Sequence, residues 1–111
     1  MIMKLTEKKC VPCEGGTAIS KAEAERLLKE VSNWQLEEKM IRKQFKFKNF
    51  VDAIKFVNKV AAVAEAEGHH PDIKISWNKV TLELWTHAID GLSENDFIVA
   101  AKVNAILNSV S

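Results

Sequence analysis

The sequence has 111 residues, of which 47% are hydrophobic, and its 16 lysine and arginine residues balance 15 acidic ones. A chain of this length buries one modest core, so we expect a single domain over residues 1–111. The net charge of +1 and the lack of an apolar run of ~18 to 20 residues disfavour direct nucleic-acid binding and membrane insertion, and residues 1–9 lack a secretory pattern, which favours a cytoplasmic location.

The first 19 residues show no sustained periodicity and contain Cys10, Pro12, Cys13 and the pair Gly15–Gly16. This composition predicts an irregular N-terminal arm. The cytosol keeps most thiols reduced, so we expect no structural disulfide between the cysteines. A redox or zinc role for this pair is disfavoured, because the chain has no second cysteine pair and the motif does not begin a helix after a strand.

A first helix is predicted over about Lys21 to Ser32. Ser20 and Glu23 form a capping box before it, and four apolar residues then recur at helical spacing, namely Ala24, Leu27, Leu28 and Val31. Two antiparallel strands, Trp34 to Leu36 and Ile41 to Phe47, should follow. A second helix begins after the cap residue Asn49 and ends at Gly68, just before two adjacent histidines.

A second hairpin is predicted between Asp72 and Trp85, with Asn78–Lys79 as its two-residue turn. In that register Trp77 faces Val80, which places the Trp77 side chain among apolar neighbours in the core. The same register, extended towards the open end, places His70 opposite His87. Trp85 falls on the polar face, where it could border a ligand or cover a subunit contact.

A third helix is predicted after Ser93, because Asp96 lies three residues beyond this cap residue. The elements together predict an α+β fold, in which three helices pack on one face of a four-stranded antiparallel sheet in the order α-β-β-α-β-β-α. The exposed edge of such a sheet favours self-association, and a homodimer and a homotetramer fit equally well.

Three histidines, His69, His70 and His87, fall within 19 residues and should converge at one end of the sheet. Three imidazoles can bind zinc, but adjacent histidines in an extended segment point to opposite faces, so we expect no metal site. Acid–base chemistry suits histidine better, because an unperturbed pKa of roughly 6.5 lets both protonation states coexist near neutral pH. Glu65, one turn before His69, could orient an imidazole or simply face water.

A wider pattern surrounds these histidines: Glu65, His69–His70–Pro71, Trp77, His87 and Asp96, with Thr86–His87 followed by Gly91–Leu92–Ser93 and Asn95–Asp96–Phe97. It resembles the pterin-4a-carbinolamine dehydratase family. The segment from Cys10 to Gly16 resembles the arm of the family's microbial members, so the resemblance covers nearly the whole chain.

The resemblance implies a hydro-lyase that dehydrates 4a-hydroxytetrahydrobiopterin to a quinonoid dihydropterin during tetrahydrobiopterin recycling, with no metal or organic cofactor. It implies a catalytic set of His69, His70 and His87, in which His69 and His87 are the acid–base candidates and His70 mainly binds the pterin. Pro71 and Thr86 would line the same pocket, and Glu65, Trp77 and Asp96 would support it, with Asp96 as a candidate orienter of His87. The alternative is a non-catalytic dimerisation or assembly factor on the same fold.

Overall fold

The elements follow one another as helix, two strands, helix, two strands, helix. The computed structural model describes residues 4–11 and 17–110, with side chains to residue 107. The elements are α1 (Lys21–Leu28), β1 (Gln35–Glu37), β2 (Met40–Lys46), α2 (Phe50–Glu67), β3 (Asp72–Ser76), β4 (Lys79–Leu84) and α3 (Glu94–Val110). Within these residues, short 3-10 helices also form at Leu5–Glu7 and His87–Ile89. The predicted α+β class and element order are confirmed.

The four strands form one antiparallel sheet in the order β1-β2-β4-β3, which makes β4 a central strand and β3 an edge strand. Alternate residues of the central strands face the helices and are buried, namely Ile41 and Phe45 of β2 and Val80, Leu82 and Leu84 of β4. Helix α3 is buried around most of its circumference between Phe97 and Val103. The end of β4 and the start of α3 are therefore anchored in the core.

The predicted helix caps are present at both ends of α2. The Asn49 side chain accepts a hydrogen bond from the Asp52 N–H (2.8 Å), and Gly68 ends the helix in a left-handed conformation with φ of 66°. Ser20 caps α1 in the same way (3.1 Å), but α1 ends at Leu28, one turn earlier than predicted. Tighter turns replace that last helical turn, and Asn33 reverses the chain with φ of 67°.

The second hairpin has its turn at Trp77–Asn78, so the predicted register is wrong by two residues. Ile75 pairs with Val80 and Ser76 with Lys79. Asn78 is fixed in the turn because its side-chain Nδ2 donates to the Phe47 carbonyl and its own carbonyl accepts the Phe47 N–H, both at 2.8 Å. A shift of two residues leaves every side chain on its predicted face.

Trp77 was predicted to lie in the core, and that prediction is also wrong. The turn holds Trp77 at φ of 54° and leaves 70% of the residue exposed. Ile73 and Ile75 face the same side of the sheet as Val80 and Leu82, but they are on the edge strand and are exposed as well. An apolar strip therefore runs along β3.

Among the described residues, no helix has the length and apolar character needed to cross a membrane.

Replacing Gly68 by alanine should lower the free energy of unfolding by about 1 kcal/mol, because a Cβ is strained at positive φ although no atom lies within 4 Å of it. Gly91→Ala should cost about 1 to 3 kcal/mol for a different reason, since its Cβ would lie 2.6 Å from the Cβ of Ala18. Urea unfolding measures both effects. The double variant Gly91→Ala, Ala18→Gly should recover part of the loss, and no recovery would contradict the packing explanation.

Candidate active site

A cavity of about 720 Å³ opens where α2 leads into β3 and where β4 leads towards α3. Residues 67–72 form one side and residues 85–88 another, and Cys10, Val11 and Asn95 complete the lining. The five residues predicted to contact a substrate, His69, His70, Pro71, Thr86 and His87, all line this cavity. The structure thus brings together residues that are up to 18 positions apart in the chain.

His69 is held by a buried carboxylate. Its Nε2 lies 2.6 Å from Asp96 Oδ1, and the His69 side chain is only 13% exposed. The other oxygen, Asp96 Oδ2, accepts hydrogen bonds from the Thr86 hydroxyl and the Ser93 N–H, each at 2.9 Å. Because the Thr86 proton is directed at Asp96, the Ser93 hydroxyl donates to Thr86 Oγ1 across 2.7 Å. The carboxylate therefore has a partner for each oxygen, which offsets the cost of its burial.

The position of Asp96 follows from helix capping. Asp96 is the third residue of α3, and its contact with the Ser93 N–H is the return bond of a capping box. Asp96 therefore holds His69, and the expectation that it orients His87 is not met. Ser93 was predicted as a helix cap only, and its hydroxyl contact with Thr86 was missed.

His70 lies at the mouth of the cavity and contacts Glu65. The distance from His70 Nε2 to Glu65 Oε1 is 3.1 Å, and both side chains are well exposed, His70 by 59%. An exposed pair of this kind contributes little to stability, at most about 1 kcal/mol. Its effect is to limit the directions in which the His70 ring can point.

His87 begins the 3-10 helix after β4 and packs on Trp85, with ring centroids 3.8 Å apart and planes tilted by 38°. The predicted pairing of His70 opposite His87 does not form, because β4 ends at Leu84 and the hairpin register differs. Instead, the chain turns back after Thr86, whose N–H donates to the Gly91 carbonyl at 2.8 Å. Trp85 faces the cavity with His87, whereas Trp77 is at the opposite end of β3.

Cys10 also lines the cavity, whereas Cys13 falls outside the described residues. Burial raises the pKa of the Cys10 thiol to about 12, and the neighbouring Glu67 carboxylate adds to this effect. The thiol is therefore protonated at neutral pH and is a poor nucleophile. Within residues 4–11 and 17–110, no three or more His, Cys, Asp or Glu side chains are grouped so that they could hold a metal ion.

Comparison with known proteins identifies the family. A family model described as Pterin 4 alpha carbinolamine dehydratase matches residues 17–106. The chain belongs to this family. A protein of Halorhodospira halophila, provisionally named pterin-4-alpha-carbinolamine dehydratase, is 51% identical over 107 residues, which cover 94% of this chain and 98% of the relative. A protein of Rickettsia canadensis with the same provisional name is 53% identical over 104 residues, covering 91% of this chain and 95% of the relative.

Two solved structures are similar to this pterin 4 alpha carbinolamine dehydratase family member. A transcriptional coactivator/pterin dehydratase from Brucella melitensis has a TM-score of 0.78 and 34% identity, covering 81% of this chain and 98% of that one. A pterin dehydratase-like protein identified as a RuBisCO assembly factor in the alpha-carboxysome has a TM-score of 0.55 and 27% identity, covering 66% and 84%. The fold is thus shared with one protein described as a coactivator and dehydratase and with another described as an assembly factor.

Replacing Asp96 by asparagine should reverse the tautomer of His69 in this family member. The amide oxygen can still accept from Thr86 and Ser93, which leaves the NH₂ group facing His69 Nε2. The His69 proton should then move from Nε2 to Nδ1, as ¹⁵N NMR of the neutral rings would show. Asp90→Asn is a matched control on an exposed carboxylate paired with Lys39, and it should leave all three histidine spectra unchanged. An unaltered His69 spectrum in Asp96→Asn would contradict the assignment.

Proposed function

We propose that this chain dehydrates 4a-hydroxytetrahydrobiopterin to a quinonoid dihydropterin by histidine acid–base catalysis. The observation that carries this proposal is the lining of one cavity by three imidazoles, one of them fixed by the buried carboxylate of Asp96. Family membership and the names of the relatives support the reaction class, which is that of a hydro-lyase.

The reaction requires two proton transfers and no redox step. The bond between C4a and its hydroxyl oxygen breaks when that oxygen receives a proton, and water leaves. A ring N–H gives up its proton, and its electron pair forms the C=N bond. One general acid and one general base are sufficient for this exchange, and imidazole serves in either role near neutral pH.

The surroundings of the three histidines favour different roles for them in the reaction. When Asp96 accepts from His69 Nε2, the Nδ1 atom of His69 is left for proton exchange with the substrate. His87, backed by Trp85, supplies the second proton-transfer group. His70 lies at the exposed mouth with Glu65, a position suited to holding the pterin, and Pro71 and Thr86 complete the contacts. Reduction of the dihydropterin product would return it to the tetrahydro form, so we propose that the reaction belongs to tetrahydrobiopterin recycling. We also propose that it takes place in the cytoplasm.

A non-catalytic assembly factor on this fold is the second candidate, and the similarity to the RuBisCO assembly factor favours it. Assembly alone gives no reason for His69 to be hydrogen-bonded to a buried aspartate, a contact that a scaffold does not require. The histidine site therefore favours the enzyme. Activity measurements on histidine variants distinguish the two candidates directly.

Glutamine at position 69 or 87 should lower kcat by about 100-fold or more, the lower end of what a general acid or base contributes. Glutamine can still donate a hydrogen bond to Asp96 but does not exchange protons near neutral pH. His70→Gln should mainly raise KM. Because His69 and His87 can partly replace each other, the double variant should be far slower than either single variant.

Initial rates on chemically generated 4a-hydroxytetrahydropterin, corrected for its spontaneous dehydration, measure these effects, and circular dichroism confirms folding. The wild-type rate should survive treatment with a chelator. If all three single variants keep the wild-type kcat and KM, the assembly-factor hypothesis replaces the enzyme. A rate that is lost with chelator and restored by zinc would replace acid–base catalysis with a zinc site.

We also propose that the chain forms a homodimer or homotetramer through the β3 edge. β3 leaves one row of backbone groups unpaired with another strand of the described chain, and Ile73, Ile75 and Trp77 are exposed beside it. Exposed edges with apolar side chains favour pairing with another strand. Phe50 and Val51, in the first turn of α2, are exposed as well.

Ile75→Lys should shift the protein towards the monomer, because a charge would enter the apolar strip of β3. Ser76→Lys is the matched control, since its side chain projects from the opposite face of the same strand. Sedimentation velocity over a range of concentrations measures the change. Identical sedimentation of Ile75→Lys and wild type would show that β3 is not the contact.

A further inference from the structure

Residues 4–11 are the first described part of the N-terminal arm, and they are called the arm below. They lie outside the segment that the family model matches, which begins at residue 17. Its 3-10 helix, Leu5–Glu7, packs on α3 and buries the Leu5 side chain. The chain then continues past the start of α3 to the cavity. There Cys10 and Val11 form part of the lining, on the same cavity as the three histidines.

The end of the arm is fastened to the first turn of α3 by Asn95. The Asn95 Oδ1 atom accepts the Val11 N–H at 3.1 Å, and its Nδ2 donates to the Val11 carbonyl at 2.6 Å. The Cys10 thiol contacts the Asn95 carbonyl at 3.6 Å. Asn95 is buried, so this paired contact is sheltered from competing water. Asn95 immediately precedes Asp96 in the chain. The paired contact therefore fixes the Val11 backbone beside the segment that carries Asp96.

A second fastening joins the arm to the end of α2. The Cys10 N–H donates to Glu67 Oε1 at 2.9 Å, and Glu67 Oε2 pairs with Lys102 of α3 at 2.7 Å. The Glu67 side chain is only 6% exposed. The pair with Lys102, and then the Cys10 N–H, hold the pKa of Glu67 below its usual range, so the carboxylate is charged at neutral pH. These contacts fix the Glu67 side chain, and Glu67 lies two residues before His69 in the chain.

We propose that Cys10 and Val11 form a substrate-contacting wall of the cavity, and that Asn95 and Glu67 are positioning residues that hold this wall in place. The inference rests on the proposed pterin substrate. Cys10 and Val11 both line the cavity, and Val11 is 63% exposed. A planar pterin in the cavity would cover this apolar surface, which favours binding. The arm therefore contributes to affinity for the pterin together with His70, while His69 and His87 set the rate.

Two variants separate the contact from its support. Val11→Gly removes the apolar wall and should raise KM by about 3-fold. Asn95→Leu removes both hydrogen bonds to Val11 and should raise KM by about 10-fold, the equivalent of one to two net hydrogen bonds. In both, kcat should stay within about 2-fold of wild type, because neither residue transfers a proton. Lys8→Ala is the matched control on the same arm, since it removes only the exposed contact with Glu94.

Alkylation of Cys10 in a Cys13→Ser background follows the arm independently of turnover. The protonated, half-buried thiol should react slowly with iodoacetamide in the fastened arm and several-fold faster in Asn95→Leu, where burial is lost. Saturating 7,8-dihydrobiopterin should slow the reaction further in the otherwise wild-type chain, because the bound ring covers the wall. Lys8→Ala should behave as wild type.

The outcomes distinguish the wall from the proposed function. Unchanged KM in Val11→Gly and in Asn95→Leu would overturn the wall, and so would an alkylation rate that 7,8-dihydrobiopterin does not alter. If the wild-type chain has no dehydratase activity, the proposed reaction fails, and protection of Cys10 by 7,8-dihydrobiopterin still decides whether the arm contacts a pterin. Because Val11 is exposed, Val11→Gly tests the contact even if Asn95→Leu does not fold.

Discussion

The candidate site depends on one buried carboxylate. Asp96 is fully buried, and an ionised side chain in that position is tolerated only when its oxygens have hydrogen-bond partners. Those partners come from three places: the N-terminus of α3 through Ser93, the exit of β4 through Thr86, and the end of α2 through His69. Oδ2 has two of these donors, whereas Oδ1 depends on His69, so loss of the His69 contact would leave one oxygen without any of these partners. The same interaction therefore holds three elements together and sets the orientation of one imidazole.

The two parts of the site differ in burial: the elements that support it are buried, whereas the mouth of the cavity is exposed. β4 and α3 are anchored by a continuous core, so the segments that carry Thr86 and Asp96 start from fixed positions. His70 and Glu65 are exposed, and their orientation depends on a contact that water can replace. The proposed division between proton transfer inside and binding at the mouth follows this gradient of burial.

Local sequence signals predicted much of this structure. The caps at Ser20 and Asn49, the stop at Gly68 and the apolar periodicity were sufficient for the element order and the fold class. The hairpin register was not predictable in this way, because the contact that fixes Asn78 comes from Phe47, 31 residues away. The partner of Asp96 was missed for the same reason, since His69 is 27 residues earlier in the chain. The hydrogen bonds that hold the arm likewise join residues more than 50 positions apart, and no local sequence pattern predicts them.

The turn at Trp77 has a thermodynamic consequence. A backbone conformation that suits glycine is occupied there by a large aromatic residue, most of which is in contact with water. The isolated chain bears both the strain and the cost of hydrating the indole. A protein surface that covers the indole removes the cost of hydrating it. Such a surface binds the folded chain only, because the turn that exposes the indole is absent from the unfolded chain. If the covering surface belongs to a second copy of the chain, as in the proposed homo-oligomer, mass action couples folding to concentration and the melting temperature rises with protein concentration.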